Sequence, residues 1–189
     1  WVFFNLRAPI HQDNLCQLFQ DHPGWYFHAR QAEKKWGVPV SVQMAIIHRE
    51  SHFRADAKPP HRWVLGFIPW RRVSTAEGYM QATNSTWQWY LKEQHLKSAS
   101  RSNFTNAVDF IGWYTHHAHQ SNAIAMNDAY HLYLAYYLGL GAYHSQAYAD
   151  NAWLLKTATG VQDQADRYHR QLMSCSHELP SKPWWLFWS

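Results

Sequence analysis

Val38-Pro39-Val40-Ser41-Val42-Gln43-Met44-Ala45-Ile46-Ile47-His48-Arg49-Glu50-Ser51-His52-Phe53 is the stretch whose reading decides the fold. Pro39 suits a first helical turn, and Ser41 is a candidate cap. Val40, Met44, Ile47 and Ser51 recur at helical spacing, with Val42, Ala45 and Ile46 beside them. A helix that is apolar round most of its surface belongs in a core. Glu50 stands at its C-terminal end, where the helix carbonyls carry partial negative charge. Those carbonyls, and desolvation beside Phe53, predict a raised carboxyl pKa. A carboxyl that keeps its proton near neutrality suits general acid catalysis. The plain alternative is a surface Glu that happens to end a helix, and this stretch alone leaves both open.

Upstream of it, Trp25, Ala29, Ala32 and Trp36 repeat every three to four residues. They predict a helix over 25–36 that Gly37 ends. Residues 13–21 read as a short helix broken by Pro23-Gly24. Downstream, residues 54–76 read as irregular, with Pro59-Pro60, Gly66 and Pro69 among the aromatics Trp63, Phe67 and Trp70. A loop of that length in a compact domain is either functional or disordered, and its aromatics argue against disorder. Gly78 marks a tight turn or close approach in Glu77-Gly78-Tyr79-Met80-Gln81. Asn84 or Ser85 caps a helix over 86–96, and a polar linker follows. Asn103 or Thr105 starts an amphipathic helix to about residue 120, with Phe104, Val108, Ile111 and Tyr114 on one face. Asn127 or Asp128 caps a helix to Leu138, ended by Gly139-Leu140-Gly141. Residues 151–173 form the last helix, with Gly160, Thr157 and Thr159 weakening its middle. The tail, 180–189, carries three Trp and one Phe and is expected to pack on the domain or on a neighbour. The chain is therefore mainly α, with at most a small hairpin around residues 64–82, and it has no internal repeat.

Composition bounds the function. A chain of 189 residues with 47% hydrophobic content supports one domain with a real core. The mean hydropathy of −0.53 and the lack of any apolar run of about 18 residues argue against a membrane-spanning protein. Residues 1–14 lack the charged start and apolar run of a signal peptide, which leaves open a leader before Trp1. The net charge of +4, with fourteen His to add more in mild acid, suits an anionic polymer. Arg71-Arg72 is the densest basic run, so a carboxylated cell-wall glycan is the better partner and nucleic acid the weaker one. Twelve Trp offer flat faces for sugar rings, although roughly two-thirds of them are expected in the core. Cys16 and Cys175 are too far apart for a metal or redox motif. They are either two buried thiols of a cytosolic protein or one disulfide of an exported one.

Several motifs point elsewhere when read alone. His48 and His52 share a helix face, as zinc ligands do. The zinc-protease pattern needs Glu directly after the first His, and here Glu50 is displaced by one position, about 100° round the helix. His116-His117-Ala118-His119 is a second His cluster, of the kind usually found on a solvated face. Ser51 lacks a His/Asp partner at recognisable spacing, so serine hydrolysis is not supported. Asn84-Ser85-Thr86 and Asn103-Phe104-Thr105 match the glycosylation pattern, which matters only in a eukaryotic secretory setting.

Three pieces together are more specific: Glu50-Ser51-x-Phe53-x-x-x-Ala57, then Gly78-Tyr79-Met80-Gln81, then Ala135-Tyr136-Tyr137-Leu138-Gly139. Their order and spacing resemble the soluble lytic transglycosylase (SLT) family, related in fold to goose-type lysozyme, over roughly residues 25–172. In that family the pattern is Glu-Ser with a downstream Ala, Gly-Leu-Met-Gln, and Ala-Tyr-Asn-Ala-Gly. Tyr79 thus replaces a Leu, Tyr137 an Asn, and Leu138 a small residue. The stretches 42–48, 66–70, 109–114 and 132–136 also resemble a branch of exported bacterial transglycosylase-like lipoproteins, which carries a Cys near each end. That setting favours the disulfide between Cys16 and Cys175.

The resemblance implies a single lysozyme-like α domain acting on peptidoglycan, with no metal or cofactor. Residues 1–24 would be an N-terminal segment packed on the domain, 25–175 the catalytic domain, and 176–189 an aromatic tail. Glu50 would be the catalytic acid and base. Ser51 would brace it or touch a substrate acetamido group. Gly78, Tyr79, Met80 and Gln81 would line the cleft, and Tyr136 would hydrogen-bond Glu50 or the substrate. The aromatic loop from Trp63 to Trp70 would wall the cleft, with Trp70 against substrate. The reaction implied is cleavage of the MurNAc-β-1,4-GlcNAc bond with formation of a 1,6-anhydro end. An exported, periplasmic or outer-membrane-associated monomer is expected, with a lipid anchor upstream of Trp1 possible. Three other readings stand beside this one: a non-catalytic glycan-binding protein on the same scaffold, a lysozyme-type hydrolase with Glu77 as second carboxylate, and a His-dependent metalloprotein.

Overall fold

The structure, a computed structural model, describes residues 8–59, 61–64, 68–72 and 74–179, with 61–64 and 68–72 described by their backbone. Eight helices and one hairpin occur among them, in the order α1 (Leu15–Asp21), α2 (Pro23–Trp36), α3 (Val40–Ser51), β1 (His61–Val64), β2 (Ile68–Arg72), α4 (Asn84–Glu93), α5 (Phe104–Asn122), α6 (Ala129–Leu138), α7 (Leu140–His144) and α8 (Ala152–Cys175). The mainly α expectation holds.

Helix α3 is the axle. Met44, Ala45, Ile46 and Ile47 are all but inaccessible, because α2, α5, α6 and α8 pack round this one helix. That explains its nearly continuous apolar sequence. Gln43 is buried with it, and its Nε2 donates to the carbonyls of Val38 (2.8 Å) and Ala29 (3.2 Å), pinning the link from α2. Gly37 ends α2 with φ +81°, the left-handed conformation that favours glycine at this position.

The helix starts follow side-chain capping. Asn14, Thr83, Asn103, Asp128 and Asn151 each accept an amide N–H in the first turn that follows. Several expectations need correcting. Ser41 is no cap: it lies inside α3, buried, and Pro39 takes the cap position. Thr83 caps α4, so that helix begins and ends earlier than expected. Pro23 is the first residue of α2 and starts the helix where a break was expected, since its missing N–H is an orphan there anyway. Gly139 ends α6, but α7 begins at once with Leu140. Helix α8 runs unbroken through Gly160 for 24 residues. The hairpin pairs Val64 with Ile68 and His61 with Arg72, with an irregularity between His61 and Trp63. It therefore sits earlier than the 64–82 expectation, and only an isolated pair, Glu77 with Ala82, follows it.

Cys16 at the start of α1 is disulfide-bonded to Cys175 at the end of α8. A link closing so long a loop contributes on the order of 4–5 kcal/mol by chain entropy. Leu15, Leu18 and Phe19 of α1 are buried in the same core as α3. Aromatic rings fill much of that core: Trp25 stacks on Phe104 at 4.0 Å, and Trp113 packs against Tyr90 and Phe110. Of the six Trp side chains described, Trp25, Trp87 and Trp113 are buried, while Trp89 and Trp153 are the exposed ones. Trp36 is partly buried against the core, and the other six Trp side chains lie outside the described residues. The side chains of Trp63 and Trp70, Gly66-Phe67, and the tail 180–189 lie outside the described residues.

Candidate active site

Glu50 is the penultimate residue of α3, and it opens into a cavity of about 480 Å³. Each wall follows from helical spacing. Phe110 and Tyr114 are four apart on α5, so they share a face. Tyr136 and Tyr137 come from the last turn of α6, ahead of Leu138 and Gly139. The far wall is the turn 78–82 and the start of α4, which supply Gln81, Ala82, Thr83 and Thr86. Among the described residues Glu50 is the one charged residue in this lining.

That isolation sets its chemistry. Glu50 keeps partial solvent exposure, yet protein closes round it and burial pushes its pKa up to about 7. Two groups act in the opposite sense, the Tyr133 hydroxyl as hydrogen-bond partner and the Arg49 charge. Burial prevails, since among the described residues no cation pairs with the carboxylate directly. A carboxyl poised there can give up a proton near neutrality and take one back.

The turn after the hairpin is held by backbone geometry. Gly78 has φ +77°, and a Cβ there would lie 2.1 Å from the Arg101 carbonyl oxygen, so a side chain is excluded. The Gly78 N–H donates to the Ala57 carbonyl at 2.9 Å. Gln81, at φ +49°, donates from Nε2 to the carbonyls of Ala57 and Gly78, both at 2.8 Å.

Among the residues singled out from sequence, the fold brings Glu50, Gln81 and Tyr136 together on the cavity. Gly78, Tyr79 and Met80 serve the turn from behind. Tyr79 is buried edge-on to Trp25 and Phe104, and the Met80 side chain is fully buried. The Met80 carbonyl accepts the Tyr136 hydroxyl at 2.5 Å. Tyr136 therefore spends its proton on the turn rather than on Glu50. Ser51 is buried as well, and its hydroxyl donates to the Ile47 carbonyl at 3.2 Å, off the cavity lining. Trp70 has its backbone on β2 and its side chain outside the description. Sequence reading missed Tyr133 as the Glu50 partner. The available signal was its position three residues before Tyr136, on the same face of α6.

Other carboxylates near the turn are engaged elsewhere. Glu77 is bracketed by Lys58 Nζ at 3.0 Å and Arg101 Nη2 at 2.9 Å. Arg101 Nη1 also donates to the carbonyls of Thr75 (3.1 Å) and Ala82 (2.9 Å), fixing the turn. Asp56 pairs with Arg54 at 3.3 Å in solvent. Asp109 accepts from Tyr90 (2.6 Å), Trp36 and Lys35, on the other side of α5.

The histidines scatter. His48 and His52 pack edge to face, while His116, His117 and His119 turn to the Trp36 carbonyl, Glu93 and the Ile124 carbonyl. Among the described residues no three His, Cys, Asp or Glu side chains gather into a metal-binding group.

A neutral cleft of aromatic faces and hydroxyls, with one protonatable carboxyl, fits an uncharged saccharide bond that is broken by acid–base chemistry. A search of curated proteins finds none that matches the chain. The family model of the transglycosylase SLT domain matches residues 5–175. That match spans most of the chain and takes in every residue of the cleft, so the protein belongs to the transglycosylase SLT family, with the lytic transglycosylase activity on peptidoglycan that defines it.

Proposed function

We propose that Glu50 is the sole acid and base of a lytic transglycosylase that cleaves the MurNAc-β-1,4-GlcNAc bond. The observation that carries this reading is the lone, burial-protonated Glu50 carboxyl on the cavity. Glu50 gives its proton to the glycosidic oxygen as the C1–O bond breaks. The substrate's own N-acetyl oxygen supports the positive charge that develops at C1. Glu50, now a carboxylate, takes the proton of the sugar's 6-hydroxyl as that oxygen bonds to C1. The products are a 1,6-anhydroMurNAc end and a free GlcNAc 4-hydroxyl, and Glu50 is protonated again.

The two-carboxylate schemes need a partner about 5–5.5 Å away as nucleophile, or about 6.5–9.5 Å away as base for water. Glu77 is the rival in sequence, but its two cations and its place off the cavity favour a structural role. Without a second carboxylate the tethered 6-hydroxyl has the advantage of proximity over water. Gln81 and the Tyr136 and Tyr137 rings hold the sugars, and Tyr133 orients Glu50. Further proposals accompany this one: a goose-type-lysozyme-like catalytic domain at 25–175, an exported, periplasmic or outer-membrane-associated monomer, and a lipid anchor upstream of Trp1. No described helix is long and apolar enough to cross a membrane.

The test is incubation with purified peptidoglycan. The wild-type protein should release muropeptides, and Glu50→Gln, which keeps the shape and removes the transferable proton, should bind the wall without releasing them. Binding without cleavage by the wild-type protein would make it a glycan-binding protein on the same scaffold.

A further inference from the structure

A second cavity of about 430 Å³ lies on the other flank of α3, against α8. Its two walls are helical stripes. Ala45, His48, Arg49 and His52 follow the i, i+3, i+4, i+7 spacing on α3, and Trp153, Lys156, Thr157, Gly160, Val161 and Gln164 continue the same spacing on α8. At Gly160 an added Cβ would meet nothing within 4 Å, so the space between the helices is open there.

Its chemistry is the inverse of the Glu50 cleft. Arg49 and Lys156 line it with His48 and His52, and among the described residues no carboxylate does. Beyond the lining, the charged groups that act on His48 are Asp13 and Arg167. The Arg49 guanidinium lies over the exposed Trp153 ring at 5.8 Å. Gln164, 7% exposed, closes the inner wall with Tyr168 beside it. Two cations, two imidazoles and a flat ring together describe a carboxylate site.

The two cavities are joined at the surface. Tyr137, half exposed on the cleft rim, packs against Trp153 on the rim of the second cavity, with ring centroids 5.7 Å apart. A chain leaving the cleft over Tyr137 meets Trp153 and then the cations.

We infer that the α3–α8 cavity is a subsite for the free carboxylates of the peptide side chains that peptidoglycan carries on its lactyl groups. This rests on the reading of the Glu50 cleft as the glycan site. Among the described residues the cleft lining offers no cation to those carboxylates, and the second cavity offers Arg49 and Lys156.

The test measures binding, not turnover, so that it survives failure of the catalytic assignment. The probes are N-acetylmuramyl-tetrapeptide, its C-terminal amide, and the peptide-free disaccharide, titrated into the full chain bearing Glu50→Gln and followed by tryptophan fluorescence and calorimetry. The tetrapeptide should bind more tightly than the amide. Lys156→Glu and the cavity-filling Gly160→Leu should each weaken tetrapeptide binding about tenfold or more, the scale of one lost charge-assisted hydrogen bond. Gly160→Ala serves as the helix control and melting curves as the folding control; Lys156 is exposed, so Lys156→Glu leaves the core intact. Equal binding of tetrapeptide and amide, or tetrapeptide binding unchanged in both variants, would overturn the subsite. If the tetrapeptide result holds while wild-type protein fails to cleave peptidoglycan, the subsite stands and the catalytic reading falls.

Discussion

Glu50 and Glu77 are both acidic residues of motifs that flank one turn, and the fold treats them in opposite ways. Glu50 is enclosed with no direct cationic partner among the described residues, and burial raises its pKa to about 7. Glu77 is held between Lys58 and Arg101, and Arg101 in turn carries the turn's carbonyls. An ion-paired carboxylate has little tendency to hold a proton and is fixed in place by its partners. An unpaired, half-buried one is costly to ionise and therefore chemically available. On this contrast the proposal gives Glu50 the catalytic role and Glu77 a structural one, without reference to the motif either sits in.

Exchanging each for Gln sharpens the contrast. Glu50→Gln should lower peptidoglycan cleavage by roughly 100- to 10,000-fold, the usual worth of a general acid–base group. Glu77→Gln should keep cleavage within a few fold, followed as release of soluble muropeptides. Comparable losses in both would break the distinction.

Stability should respond with opposite signs. The folded-state pKa of Glu50 lies above its unfolded value of about 4.5. The folded state thus holds the proton more tightly, and ionisation costs stability as pH climbs from there to about 7. Glu50→Gln should therefore melt above the wild-type protein at pH 8, with the gap closing below about pH 4.5. Glu77→Gln leaves Lys58 and Arg101 without their shared partner and should melt lower at neutral pH, by about 1 kcal/mol for such partly exposed pairs. Calorimetric melts across this pH range measure both.

The activity profile carries the same signature. On the proposal that the protonated Glu50 starts the reaction, kcat/KM should fall as pH rises through about 7. The smallest expected effect is a displacement of that limb. The Tyr133 hydroxyl lowers the Glu50 pKa, so Tyr133→Phe should move the limb to higher pH while leaving the melting behaviour close to wild type. A limb that moves to lower pH would contradict the assignment of Tyr133 as the partner.

How much of this was legible in the sequence follows local and distant interactions. The apolar run of α3 has one reading because every side of the helix is covered, and Glu50 at its end follows directly. Asn103 and Asp128 were candidate caps on local chemistry alone. Thr83 was missed because Thr83-Asn84-Ser85-Thr86 offers several capping residues in succession. Which side of the 78–82 turn faces substrate was not readable. It depends on Gly78 seating against the Arg101 backbone, more than twenty residues away, which sends Tyr79 and Met80 inward and Gln81 out. Helix α6 is mostly aromatic and aliphatic, so beyond its spacing from Tyr136 nothing local marked Tyr133 as the residue turned to Glu50. The second cavity was illegible for a similar reason: its stripes on α3 and α8 are far apart in sequence and meet only in the fold.

The central claim is that one carboxyl does the work of two, and the released products test it most directly. Mass spectrometry of muropeptides from wild-type digestion should find 1,6-anhydroMurNAc ends, one water lighter than hydrolysed ends, with the same product from Glu77→Gln and none from Glu50→Gln. Predominantly reducing ends, abolished by Glu77→Gln, would contradict it and make Glu77 the second carboxylate of a hydrolase.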